Sequence, residues 1–159
     1  MRSISPRFSL GLGGILFVAD RLFKYAAVQT VAAQTVHSPS FGWSPFLNPG
    51  VAFGIPLPQT VVILFSVPII GLLLYLAAKQ LPSAARSDQN NLPFPALILI
   101  IAGALSNLID RLLYAHTVDY WQMYTAVINL ADIQIAGGFM LYFWQLHAKN
   151  SSSSTKNHL

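Results

Sequence analysis

The chain has 159 residues, of which 54% are hydrophobic and only 9% charged; its net charge is +4 and it has no cysteine. A typical soluble domain is about 25% charged, so this composition points to a membrane and away from an ordinary water-soluble domain. The missing cysteine excludes a disulfide framework, a thiol nucleophile and a cysteine-bound metal.

Four runs reach or approach the roughly 20 apolar residues that a bilayer crossing needs: residues 8–28, 60–78, 92–113 and 131–146. The first contains Asp20 and Lys24, whose i,i+4 spacing lets the two charges neutralise each other. Arg2 and Arg7 followed by LGLGGILFVA also resemble the start of a secretory signal peptide. Phe17 breaks the small-residue pattern before Ala19, and apolar character resumes after Asp20, which favours a retained span. Residues 31–58 are rich in Val, Thr, Ser, Gly, Pro and aromatics. They read as short strands joined by turns, a small sheet on the outer membrane surface. The second run is uncharged, and Pro68 within it predicts a kink that bundled spans tolerate.

Residues 80–93 read as a plain polar loop, with Pro93 and Pro95 opening the third helix. That helix ends GALSNLIDRLLYAHTVDYW. Gly103, Asn107, Asp110 and Arg111 share one helical face, so the polar stripe must point into the bundle. Gly103 permits a close helix approach. Residues 117–128 hold Tyr120, Trp121, Met123 and Tyr124, a composition suited to the lipid headgroup boundary. Asp132 opens the fourth helix. Residues 1–149 form one integral-membrane domain, and 150–159 have the composition of a disordered cytoplasmic tail.

Arg2 and Arg7 precede the first run, Lys79 and Arg86 follow the second, and Lys149 and Lys156 follow the fourth. The connections between runs one and two and between three and four carry no basic residue. The positive-inside rule then sets four crossings with both termini cytoplasmic. These residues orient the chain rather than bind a polyanion, so no nucleic-acid partner is expected.

All five acidic residues are aspartates, and only Asp88 lies in an ordinary polar loop. Asp20, Asp110, Asp119 and Asp132 sit inside or beside apolar runs, where an ionisable group is by default a functional-site hypothesis. Asp119 and Asp132 are 13 positions apart (132 − 119) at the outer ends of neighbouring helices, with no cation adjacent in sequence. Two carboxylates brought together share a proton and can activate water toward a peptide carbonyl. Spacing alone leaves open two separate carboxylates that cap helix ends. It likewise leaves Asn107, Asp110 and Arg111 open as interhelical glue. No glutamate is present for an HExxH zinc site, and His37, His116, His147 and His158 lack ligand spacing. Neither a GxSxG elbow nor a phosphate-binding glycine loop occurs. Rival readings are a proton-coupled transporter using Asp20, Asp110 and Asp132 as a relay, and a non-enzymatic assembly factor.

Four blocks taken together resemble the lipoprotein signal peptidase (signal peptidase II) family. They are Asp20 to Lys24 (D-x-x-x-K), Asn48 to Gly54 (N-x-G-x-A-F), Gly103 to Arg111 with Val118-Asp119-Tyr120, and Asn129 to Asp132 (N-x-A-D). The resemblance implies an all-α membrane protein of four transmembrane helices with a small outer-surface antiparallel β-sheet cradle. It implies an aspartyl endopeptidase of the bacterial inner membrane, active near the outer face. Its partners would be membrane lipid and a diacylglyceryl-modified prolipoprotein, cut before the lipidated cysteine, with no metal or cofactor. By the same resemblance Asp119 and Asp132 are catalytic, and Asn107, Asp110, Arg111 and Asn129 support them. Asp20, Lys24 and Asn48 match the family's other recurring positions. Ser106 stands for a usual glycine, Ala115 for a glycine before the histidine and Tyr120 for phenylalanine, and the stretch between the two aspartates is short.

Overall fold

A computed structural model describes residues 4–31, 40–51, 55–84 and 94–156, with side chains through residue 148. Four helices, α1 (Pro6–Val31), α2 (Gln59–Ala84), α3 (Phe94–Tyr114) and α4 (Leu130–Lys156), form in the order the apolar runs predict. Two of them, over Gln59–Leu81 and Phe94–Tyr114, are long and apolar enough to cross a membrane by composition. α1 is as long, but Asp20, Arg21 and Lys24 interrupt it; α4 carries Asp132, Gln134 and Gln145. The helices overrun their expected ends. α2 continues through Pro68 and on to Ala84, into the expected loop, and α4 is helical to Lys156, past the start of the expected tail. Asp88, Arg86 and Pro93 lie outside the described residues.

α3 is the central helix and packs against α1, α2 and α4. Toward α2 it buries Phe94, Leu97 and Ile101 with Ala77. Toward α4 it presents small residues. A Cβ at Gly103 would collide with the backbone oxygen of Ala131, and one at Gly138 would lie 2.6 Å from Ile100 Cγ1. Glycine at these two points lets the backbones meet, as the sequence suggests for Gly103. The outward faces are apolar: Phe8, Ile15 and Leu22 on α1, Leu64, Phe65 and Leu72 on α2, and Met140 and Phe143 on α4 are all exposed.

The sheet corrects one expectation. Its strands come from both the α1–α2 and the α3–α4 connections, not from residues 31–58 alone. β1 (Phe41–Asn48) pairs antiparallel with β2 (Thr117–Met123), which pairs with β3 (Ala126–Ile128). The aromatics expected to mark only a headgroup boundary therefore lie on a hairpin, with Tyr124 in a left-handed turn conformation at φ 53°. Proline cannot donate to a ladder, and Pro45 sits where the β1–β2 register shifts between Trp43 and Phe46. Ala27, Val118 and Tyr120 join the sheet to α1 through a second buried cluster.

Candidate active site

Asp119 projects from β2 and is 1% exposed, whereas Asp132, in the first turn of α4, is only part-buried. One residue links them. The Asn129 amide donates to Asp119 Oδ1 at 2.6 Å, and its oxygen accepts the Asp132 backbone N–H at 2.8 Å. Asn129 thereby caps α4 in the way asparagine commonly does, while its other end reaches the strand. Asn48 Nδ2 donates to Asp119 Oδ2 at 2.8 Å, and Asn48 Oδ1 accepts the Gly50 N–H at 2.9 Å. Neither amide can flip without losing a partner, so both oxygens of Asp119 face fixed donors.

Asp132 Oδ1 accepts from Asn107 Nδ2 at 2.9 Å, and the oxygen of Asn107 accepts from Lys24 Nζ at 2.6 Å. Lys24 is fully buried and spends its other two protons on Asp110 (2.7 Å) and Asp20 (3.1 Å). The i,i+4 pairing of Asp20 with Lys24 is therefore present, but Lys24 also orients Asn107 so that its amide nitrogen meets Asp132. Asp110 touches neither Asp119 nor Asp132. It pairs with Arg21 and Lys24 and accepts the Val118 N–H at 3.1 Å, fixing β2 one residue before Asp119. Arg111 turns away. Its guanidinium donates to Gln59 Oε1 (2.9 Å) and the Gly50 carbonyl (2.7 Å), tying the end of α3 to the start of α2 and to the segment after β1.

Four members of this network are missing from the sequence-derived set. Arg21 pairs with Asp110, and Gln59 with Arg111. Ser106 and Tyr120 both donate hydroxyls to Asp20, at 2.6 and 2.9 Å. The departures from the family pattern at 106 and 120 were the only signal for the last two. His116 contacts the Tyr114 carbonyl at 2.9 Å. Ala115, the third departure, has φ 58°, the left-handed region that glycine adopts freely.

Burial, with the Asp132 charge second, pushes the Asp119 carboxyl up to about 7, against the opposing Asn48 and Asn129 donors and the Lys24 charge. Burial, with Asp20 second, also lifts the Tyr120 phenol above its ordinary range, so its hydroxyl stays a donor. A buried, proton-retaining carboxyl joined through one asparagine to a more accessible carboxylate has the elements of general acid–base chemistry on water.

The family model of signal peptidase (SPase) II matches residues 12–148. The lipoprotein signal peptidase of Moorella thermoacetica is 36% identical over 100 residues, 62% of this chain and 63% of that protein's length. That of Haemophilus influenzae (strain PittGG) is 36% identical over 141 residues, 81% of this chain and 79% of its own. That of Polynucleobacter necessarius subsp. necessarius is 27% identical across 99% of this chain and 100% of its own. Two bacterial membrane enzyme structures obtained by the in meso method share the fold. One has a TM-score of 0.73 at 24% identity, covering 91% of this chain and 90% of its own. The other has 0.66 at 25%, covering 87% and 92%.

Proposed function

The chain belongs to the signal peptidase II family, and from that premise we propose that Asp119 and Asp132 are its catalytic pair. The protein is an aspartic endopeptidase of the bacterial inner membrane that removes the signal peptide from lipid-modified prolipoproteins, cutting before the lipidated cysteine. The observation that carries the assignment is Asn129, whose single side chain reaches the carboxylate of Asp119 and the backbone of Asp132 together.

In the reaction the pair holds one proton. The ionised carboxylate takes a proton from water as its oxygen attacks the scissile carbonyl carbon, while the protonated partner polarises the carbonyl oxygen. The proton then passes to the departing amide nitrogen as the C–N bond breaks. The pair titrates as a unit. Asn48, Asn107 and Asn129 donate to it directly; Asp20, Lys24 and Asp110 hold those donors and β2 in place. Arg111 supports the site from outside, through Gly50 and Gln59.

All four helices cross the membrane, and the sheet rests on the outer surface. The exposed apolar faces of α1, α2 and α4 support this, because a water-soluble monomer rarely exposes such area. The charges of α1 are compatible with it, since Asp20 and Lys24 are fully buried away from lipid. The Lys and Arg distribution supports cytoplasmic termini. The site then lies at the outer interface, where a lipid-anchored substrate meets water. The test is cleavage of a lipidated prolipoprotein by separately purified Asp119→Asn and Asp132→Asn proteins. Each is expected to lower kcat/KM at least about a hundredfold; near-wild-type turnover by either folded variant overturns the assignment.

A further inference from the structure

We propose that Tyr120 is a positioning residue for Asp132, acting through its hydroxyl on the first turn of α4; the inference rests on reading Asp119 and Asp132 as the catalytic pair. A helix leaves its first N–H groups without intrahelical partners, and how they are satisfied decides where the helix begins and points. In α4 the Asp132 N–H goes to the Asn129 side chain, a local cap. The two before it go to residues remote in the chain: Ala131 N–H to Asp20 Oδ1 at 3.1 Å, and Leu130 N–H to the Tyr120 hydroxyl at 2.9 Å.

The Tyr120 hydroxyl can accept from Leu130 because its proton is committed elsewhere. It donates to Asp20 Oδ1 at 2.9 Å, the same oxygen that receives Ala131 N–H. The ring is held as firmly, 5% exposed and in a three-ring cluster with Phe23 and Trp43, in tilted contacts with centroids 5.5 and 5.4 Å away. Tyr120 follows Asp119 directly on β2, and Leu130 precedes Asp132 by two positions. One rigid side chain therefore joins the strand carrying one carboxylate to the helix start carrying the other. Ser106 donates to Asp20 Oδ2 at 2.6 Å, where Lys24 also binds, so it helps fix the carboxylate that orients Tyr120. Both hydroxyls are departures from the family pattern, and they converge on the same carboxylate. Phenylalanine at 120 would keep the ring and lose both hydrogen bonds.

The test uses the full-length protein in proteoliposomes with a lipidated prolipoprotein. Tyr120→Phe is expected to lower kcat about tenfold with KM within twofold. Leu130→Pro removes the same hydrogen bond from the other side, and proline is tolerated at a first helical position. It should reproduce the loss, and the double variant should be no worse than the poorer single one. Leu97→Ala, in the α2–α3 core, should lower thermal stability while holding kcat per folded enzyme within twofold. The proposal is overturned by Tyr120→Phe turning over within twofold of wild type, by additive losses in the double variant, or by an equal kcat loss in Leu97→Ala. Active Asp119→Asn or Asp132→Asn protein would instead overturn the reading of the catalytic pair. Those two inactive beside an unaffected Tyr120→Phe would sink the positioning role alone.

Discussion

Removing the Asn48 side chain should move the alkaline limb of the pH–rate profile upward. Asp119 titrates at about 7 because burial and the Asp132 charge outweigh the donors on its two oxygens, Asn129 and Asn48. Asn48→Ala deletes one donor, at 2.8 Å, that favours the ionised form. A hydrogen bond to a charged group contributes about 1.5–3 kcal/mol. At about 1.4 kcal/mol per pKa unit, Asp119 should then hold its proton about 1–2 units longer, to roughly pH 8–9. On the proposed role of the pair, loss of its shared proton ends activity, so the alkaline fall of kcat/KM should shift up by the same amount. Stability follows the same sign. Because the folded value of Asp119 is raised, its favourable contribution is complete below the ordinary carboxylate range and is lost as pH rises through about 7. In the variant that loss extends to higher pH. The assay is kcat/KM from pH 5 to 10 on a lipidated prolipoprotein, with thermal unfolding over the same range. An alkaline limb that stays put or moves down, in folded protein, refutes the reasoning.

Ala115→Gly should raise stability by about 1 kcal/mol, because an L-residue in the left-handed region carries roughly that strain; thermal unfolding should rise by about 2–4 °C with activity unchanged. Gly103→Ala should cost about 1–3 kcal/mol by overpacking. It forces α3 from α4 at Ala131 and Ile135, so the Asn107–Asp132 contact opens and kcat falls even in the folded fraction. Lys24→Met leaves Asp110 with Arg21 and removes the cation paired with Asp20. Breaking a buried ion pair costs about 3–5 kcal/mol, so wild-type thermal stability in that variant would contradict the hub role of Lys24.

Periodicity and charge spacing disclosed much of this molecule, because both are local. The four apolar runs become α1 to α4, Asp20 lies one turn from Lys24, and Asn107 and Asp110 face inward as their stripe predicts. What pairs across the chain was not legible. The ladder of 41–48 with 117–123 depends on register between residues 69 (117 − 48) to 82 (123 − 41) positions apart, and no composition rule names a partner at that range. Arg21 was hidden beside Asp20, since its partner is 89 positions away. Arg111 shared the polar stripe yet points to Gln59 and Gly50. Helical spacing assigns a face; it does not say which neighbour a long side chain reaches.

The pairing of Arg21 with Asp110 has a consequence for how the protein is made. While α1 is alone, Asp20 can neutralise Lys24, but Arg21 has no counter-charge, and an arginine at mid-helix costs about 2.5–3.5 kcal/mol on insertion. Its counter-ion is translated 89 residues later. At synthesis rates of about 5–20 residues per second, α1 waits roughly 4–18 s before α3 can neutralise it. On the proposed topology, α1 carries an unpaired arginine through that interval, and pairing with Asp110 removes the penalty.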